Sequence, residues 1–359
     1  MRQDSPGGPV SEPKRGEKFR LLADELRRGI AEVRWPEGRL PTEQQLSKEQ
    51  GVSLNTVRRA VDLLVNEGLV YRRQGSGTYV QAEQPRSGPV VGVIVPSMTY
   101  YYPRIIAGIE SEVSRNDAQL LLRSTGYDVA QETQAVESMI AAGAQGLLIV
   151  PELAARSDAH AYLERLGLPL VLVERRFRSG GDIHEFVCSN HAAGGYIAAR
   201  HLFSLGHSKI AFLARSSPHA AEVAHGLREA LAHRGLEPAV DHTAGRWTAA
   251  DAESCLDRLL AAGCTAALCF ADREATLLIA AAVKRGLSVP GDLSVIGYDD
   301  EIADLSAVPL TAISPAKQAV GRLAVQTLLR RLADPDAPLQ QHLVVPTLAV
   351  RESTDIHSP

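Results

Sequence analysis

From residue 90 onward, hydrophobic positions gather into short unbroken runs separated by longer stretches with helical spacing. The runs at 90–96, 120–122, 146–150, 170–173, 209–214, 266–270 and 293–297 have the length and continuity of strands buried on both faces. The stretches at 104–115, 131–142, 191–205, 221–234, 249–262 and 273–286 read as helices. Regular strand–helix alternation predicts βαβ units and parallel sheets with helices on both sides. About 270 residues of this pattern exceed one comfortable core, so two α/β lobes with a cleft between them are expected.

Residues 17–80 follow a different pattern. Leu22, Leu26 and Ile30 recur at helical spacing, with Arg27 and Arg28 beside them. Thr42 and Gln45 form a T-x-x-Q capping box for a second helix that ends at Gly51. Ser53 caps a third, whose apolar positions Val57, Ala60, Val61 and Leu64 face inward until Gly68 stops it. The outer face of its first two turns carries Asn55, Thr56, Arg58 and Arg59. Helix, tight glycine turn and polar helix make a helix-turn-helix arrangement. Spacing alone also allows a small capped bundle with a solvated charged face. The segment 69–80 shifts the balance: it reads as two short strands around Gly75-Ser-Gly77, with Arg72, Arg73 and Gln74 leading to the tip. A basic hairpin after such a helix makes a wing that reaches phosphates or the minor groove.

Charge supports a division of labour. The 359 residues carry 38 Lys/Arg and 42 Asp/Glu, a net of −4, which excludes a generally basic binder. Residues 1–88 hold 15 basic and 12 acidic side chains, a net of +3, whereas the other 271 hold 23 and 30, a net of −7. A basic piece joined to an acidic one points the basic piece at a polyanion. The polar, proline-containing stretch 81–89 reads as a linker, 17–80 as the small domain, 90–352 as the large one, and the Pro- and Gly-containing 1–16 as a disordered tail.

Cys188, Cys255, Cys264 and Cys269 have neither disulfide-framework nor C-x-x-C spacing, so reduced, buried thiols are expected and no metal site. The start of the chain lacks the apolar stretch of a signal peptide, and no apolar run approaches the length of a membrane span. A cytoplasmic location follows as an expectation.

Three segments of the small domain carry a specific resemblance. Arg39-Leu-Pro-Thr-Glu-Gln-Gln-Leu46, Gly51-Val-Ser-Leu-Asn-Thr-Val-Arg-Arg-Ala60, and Glu67-Gly-Leu-Val-Tyr71 with Gln74-Gly-Ser-Gly-Thr-Tyr-Val80 resemble the GntR family winged helix from end to end. The resemblance implies that Lys18 and Glu43 touch or organise the DNA backbone, that Arg58 reads a base, and that Gln74 and Gly75 form the wing tip. With the helix faces, it gives a candidate DNA surface of Lys18, Thr42, Glu43, Gln44, Ser53, Asn55, Thr56, Arg58 and Arg59. The wing adds Arg72, Gln74, Gly75, Ser76, Gly77 and Thr78. Many relatives have a second arginine where this chain has Leu54, which implies a different or looser half-site.

The large domain resembles another family. Ala107-Gly-Ile-Glu110, Gly194-Gly195, His201-Leu-Phe-Ser-Leu-Gly-His207 and Val289-Pro-Gly-Asp-Leu-Ser-Val-Ile-Gly-Tyr-Asp-Asp300 with Pro309-Leu-Thr311 are similar to the LacI/GalR effector domain, which has the fold of periplasmic sugar-binding proteins. The pairing of the two domains resembles AraR-type repressors. It implies a homodimer on a palindromic operator, modulated by a small molecule, a sugar or sugar derivative, in the cleft. Candidate effector contacts are Tyr100, Tyr101 and Tyr102 after the first strand, at the edge where α/β proteins bind ligands, and Glu174, Arg175, Asn190, Glu222 and Asp272. Aromatic rings suit the C–H face of a sugar; a carboxylate beside a guanidinium accepts from and donates to hydroxyls. The chain departs from the family at Ser189, Val223 and Ala271, where an acid, an arginine and an asparagine are common. Either the ligand is not a typical free sugar, or Glu222, His219 and His225 supply replacements; a degenerate pocket that binds nothing is the third reading. His201 and His207 fit packing rather than metal binding.

No nucleotide-binding, nucleophile-elbow or zinc-protease motif is present, no cofactor is expected, and an enzyme is the remote alternative. The closer competitor is a repressor whose large domain serves only to dimerise. The linker lacks the minor-groove hinge helix that LacI-type repressors use, which leaves open how a signal crosses it.

Overall fold

The computed structural model describes residues 18–32, 34–36, 38–73, 76–80, 88–152, 158–177, 183–245 and 247–357. The chain divides into two compact units, Met1–Arg86 and Ser87–Pro359. The proposed tail, most of the linker, and Gln74 and Gly75 lie outside the described residues.

The first unit holds α1 (Lys18–Ala31), α2 (Glu43–Glu49), α3 (Leu54–Asn66) and the antiparallel hairpin β1 (Val70–Arg73) and β2 (Gly77–Val80). Thr42 and Gln45 close the capping box on α2, and Ser53 accepts the Thr56 N–H to start α3. Gly51 and Gly68 take φ of 60° and 72°, a region side-chain-bearing residues disfavour, and so end the two helices sharply. Leu22, Leu26, Leu46, Val57, Ala60, Val61, Leu64 and Val70 form one core. The hairpin is tied to that body by Leu40 N–H donating to Thr78 O at 3.0 Å.

The second unit contains two six-stranded sheets. The first is built from β3 (Val90–Val95), β4 (Gln119–Ser124), β5 (Gly146–Ile149), β6 (Leu170–Val173), β7 (Glu185–Ser189) and β13 (Gln341–Val344), in the order β13-β7-β6-β5-β3-β4, all parallel. Its faces are covered by α4 (Tyr102–Arg115), α5 (Val129–Ala141), α6 (Ala159–Arg165) and α11 (Lys317–Ala333). The second contains β8 (Ile210–Arg215), β9 (Val240–Ala244), β10 (Ala266–Cys269), β11 (Ser294–Tyr298), β12 (Thr311–Ser314) and β14 (Thr347–Ala349), in the order β14-β12-β11-β10-β8-β9. Only β14 runs antiparallel to its neighbour there. Helices α7 (His191–Ser204), α8 (Ala220–Ala232), α9 (Ala249–Ala261) and α10 (Asp272–Lys284) flank it.

Each sheet buries both faces, which is why its strands read as continuous apolar runs. In β3, Val91, Val93 and Val95 enter one core while Ile94 enters another. The chain passes between lobes three times, after β7, after β12 and between β13 and β14. The seven strands and six helices expected from periodicity are all present. The pattern missed β7, β9, β12, β13, β14, α6 and α11. Edge strand β9 alternates half-buried and exposed positions, and β14 has three residues, so neither carries an apolar run.

Candidate functional site

On the first unit, Ser53 and the first two turns of α3 present a polar surface. Asn55, Arg58 and Arg59 are exposed and Thr56 half-buried. Arg58 Nε donates to Glu43 Oε2 at 2.8 Å, and Arg72 reaches Asp62 at 2.6 Å and Glu43 at 3.5 Å. Glu43 thus organises two of the arginines assigned to DNA. Arg59 stacks its guanidinium 4.3 Å from the centre of the Phe19 ring. Lys18 and Gln44 are exposed. The hydroxyls of Thr42, Ser53 and Thr56 are engaged in helix caps, and Ser76 Oγ hydrogen-bonds Tyr79 Oη at 2.6 Å, so these side chains have structural work beside any role at DNA. On the wing, Gly77 is exposed and Thr78 half-buried.

In the second unit, the carboxyl ends of both sheets border a cavity of about 900 Å³. Tyr100, Tyr101, Tyr102, Glu174 and Arg175 line it, as their positions after β3 and β6 led us to expect. A neighbouring cavity of about 240 Å³ shares Glu174, Arg175, His191 and His219 with the first and takes in Glu222.

Glu174 is 2% exposed and is not a surface ion pair with Arg175. Its Oε1 accepts from Tyr101 Oη at 3.1 Å and Ser189 Oγ at 2.9 Å, and its Oε2 from the Ser189 N–H at 3.0 Å. Burial pushes its pKa up; His191, the Ser189 N–H and His219 together outweigh that and hold it below the usual carboxylate range. His191 Nε2 stands 3.7 Å from Glu174 Oε2, and its Nδ1 shares a 3.0 Å hydrogen bond with Tyr298 Oη. Arg175 pairs instead with Glu152.

Two expected contacts sit elsewhere. Asn190 lines neither cavity; its Oδ1 caps α7 by accepting the Ala193 N–H at 3.0 Å. Asp272 is wholly buried at the start of α10, where it accepts the backbone N–H groups of Glu301 at 2.7 Å and Ile302 at 3.0 Å. Burial raises its pKa to about 6 despite those donors. It pins the loop after β11 rather than reaching the cavity. His225 is exposed on α8 and lines neither cavity, whereas His219 lines both. His201 and His207 bond Thr354 and Thr265.

Sequence reasoning missed other lining groups: Arg215, Trp247, Phe270, Arg273, Glu274 and Asp299. Arg215, Phe270 and Asp299 stand at or just past strand ends, so the carboxyl-edge rule applied to every strand would have found them. Trp247 is 6% exposed and its Nε1 has no hydrogen-bond partner among the described residues. The same holds for Glu274 Oε2 and Arg175 Nε. Burial pushes the Glu274 carboxyl up, and it pushes the Asp299 carboxyl, opposed by Lys317, to about 8. Leaving a buried donor or acceptor unmatched costs about 1–3 kcal/mol each. His191 Nε2 is likewise unmatched at this cavity, and two donors, one acceptor and one imidazole nitrogen suit a ligand whose groups both donate and accept. Among the described residues no group of three or more His, Cys, Asp or Glu side chains could hold a metal ion, and no helix is long and apolar enough to cross a membrane.

Comparison with known proteins fits both halves of this description. Residues 20–80 match the family of bacterial regulatory proteins called gntR, and residues 199–354 match the periplasmic binding protein-like domain. The arabinose metabolism transcriptional repressor of Halalkalibacterium halodurans is 29% identical over 364 residues, covering 94% of this chain and 96% of that one. The HTH-type transcriptional repressor PurR of Haemophilus influenzae is 30% identical over 284 residues, covering 73% of this chain and 80% of that one. Among solved structures, the Lac repressor dimer bound to operator and an anti-inducer superposes with a TM-score of 0.64 at 26% identity, covering 75% of this chain and 95% of that one.

Proposed function

Since the chain belongs to the bacterial transcriptional regulators that join a GntR-family helix-turn-helix domain to a periplasmic-binding-protein-like domain, we propose that it is a repressor of sugar-metabolism genes whose operator binding is set by a carbohydrate in the inter-lobe cavity. The observation that carries the ligand half is the set of unmatched buried groups at that cavity: Trp247 Nε1, Arg175 Nε, His191 Nε2 and Glu274 Oε2. Sugar hydroxyls donate and accept at once and so satisfy both kinds. Tyr100 and Phe270 add aromatic faces for C–H packing. The arabinose relative's name agrees with a sugar.

In this reading two copies of the chain place their α3 helices in successive major grooves of a palindromic site, with wings alongside. Ligand draws the lobes together and favours one of two dimer states. It can shift operator binding only by its differential affinity for those states. The relatives are regulators, and no catalytic step is assigned to the cavity.

Two measurements test the reading. Selection of duplexes from a random pool should enrich an inverted repeat. Thermal unfolding against a panel of pentoses, hexoses, glycosides and sugar phosphates should show one compound raising the midpoint with concentration. A selected operator with no stabilising compound would leave a DNA-binding scaffold that merely dimerises.

A further inference from the structure

Helix α3 opens with Leu54, a large apolar side chain that is 41% exposed. It plays no part in holding the helix. Ser53 provides the cap, and Val57, Ala60, Val61 and Leu64 supply the buried stripe. The exposed side chains flanking Leu54 in sequence and about one turn on are polar or charged: Ser53, Asn55, Arg58 and Arg59. Arg58 lies four positions further along and therefore on the same face, held toward α2 by Glu43.

The N-terminal residues of a recognition helix meet base edges in the major groove. The apolar group that the groove offers there is the C5-methyl of thymine. We propose that Leu54 is a specificity-determining residue that reads a thymine methyl beside the base contacted by Arg58. This rests on the DNA-binding reading above. It makes a pair of unlike contacts from one helix face: Arg58 supplies hydrogen bonds and charge, and Leu54 supplies apolar contact with no hydrogen bond. Discrimination at the Leu54 position then depends on a methyl group and not on base-pairing identity. Uracil, which pairs as thymine does but lacks the methyl, separates the two.

The test uses the full chain and an operator selected from a random pool. Each thymine of one half-site is replaced in turn by deoxyuracil, and affinity is read by fluorescence anisotropy at fixed salt. One position should weaken binding about fourfold, as expected for one buried methyl-sized group. In Leu54→Ala, whose thermal midpoint should match the parent because the side chain is exposed, thymine and uracil should bind alike at that position. Leu54→Arg should also lose the distinction. If no thymine is sensitive in the parent, or the uracil penalty persists in Leu54→Ala, the inference is overturned while DNA binding stands. If no duplex is enriched at all, the DNA-binding reading fails and this inference with it.

Discussion

Arg58 Nε donates to Glu43 Oε2 across 2.8 Å, so the arginine assigned to base reading is held in place by the first residue of the preceding helix. Both partners are partly exposed, which limits what the pair adds to stability to about 0–1 kcal/mol. Arg58→Ala should therefore leave the thermal midpoint nearly unchanged while operator affinity falls by about 1–3 kcal/mol and one base position loses its preference. Glu43→Ala should weaken binding less, because the guanidinium survives but is no longer oriented. Unaltered operator affinity in Arg58→Ala, measured by anisotropy, would remove that residue from the interface.

Two substitutions separate support from ligand contact at the cavity. Glu174→Gln puts an amide where three donors from Tyr101 and Ser189 converge, and an NH₂ cannot accept from them. A stability loss of about 1–3 kcal/mol is expected from the broken network. Trp247→Phe removes an indole N–H that has no protein partner among the described residues, together with part of a ring packed in the core. Its unfolding midpoint should fall by the lost ring packing, while ligand affinity drops by about 0.5–1.5 kcal/mol for the missing N–H. Calorimetric titration of both variants checks the contrast, and equal ligand affinity for Trp247→Phe and the parent would take Trp247 out of the site.

Helices α7 and α8 cross at glycines. A Cβ on Gly226 would overlap the carbonyl oxygen of Ala192, and one on Gly195 would overlap that of Val223. Gly226→Ala should cost more than about 3 kcal/mol, since backbone atoms on the facing helix cannot step aside as a side chain can. Denaturant unfolding measures this; a loss below 1 kcal/mol would mean the helices separate freely.

Much of this molecule was legible in its sequence, and the gaps have physical causes. The α3 face and both caps could be read because capping uses fixed residue types at fixed offsets, as with Thr42 and Gln45. Strands buried on two faces could be read from apolar continuity, whereas β9 and β14 lie at sheet edges and lack it. At the cavity, position after a strand located Tyr101, Glu174 and Arg175 but said nothing of direction. Asp272, in the expected place, turns into the loop after β11. Two positions along, Glu274 lines the cavity. Trp247 lies on a connection between β9 and α9, where no periodicity marks it.

Asp299 gives the large unit a pH signature. Burial raises its pKa to about 8, so the folded chain holds a proton that the unfolded chain releases near 4. The folded state then binds more protons across that window, and this group's contribution to stability falls as pH rises from about 4 to about 8. Glu174 acts in the opposite sense: with its pKa held low, its contribution is present above the unfolded value and is lost as pH falls through the folded one. Asp299→Asn should flatten the decline between pH 5 and pH 8, measured by urea unfolding at a series of pH values. A slope equal to the parent's would show that Asp299 ionises as readily in the folded state as in the unfolded one.

The central claim joins operator binding to a ligand in the inter-lobe cavity, and one titration tests both. The full chain is bound to its selected operator at fixed salt, followed by anisotropy, and challenged with pentoses, hexoses, glycosides and sugar phosphates. One compound should shift the operator affinity by tenfold or more, about 1.4 kcal/mol of coupling, and Trp247→Phe should need more of it. Tight operator binding that no compound shifts would contradict the sensor. Absence of DNA binding even at low salt, where phosphate contacts are strongest, would contradict the regulator itself.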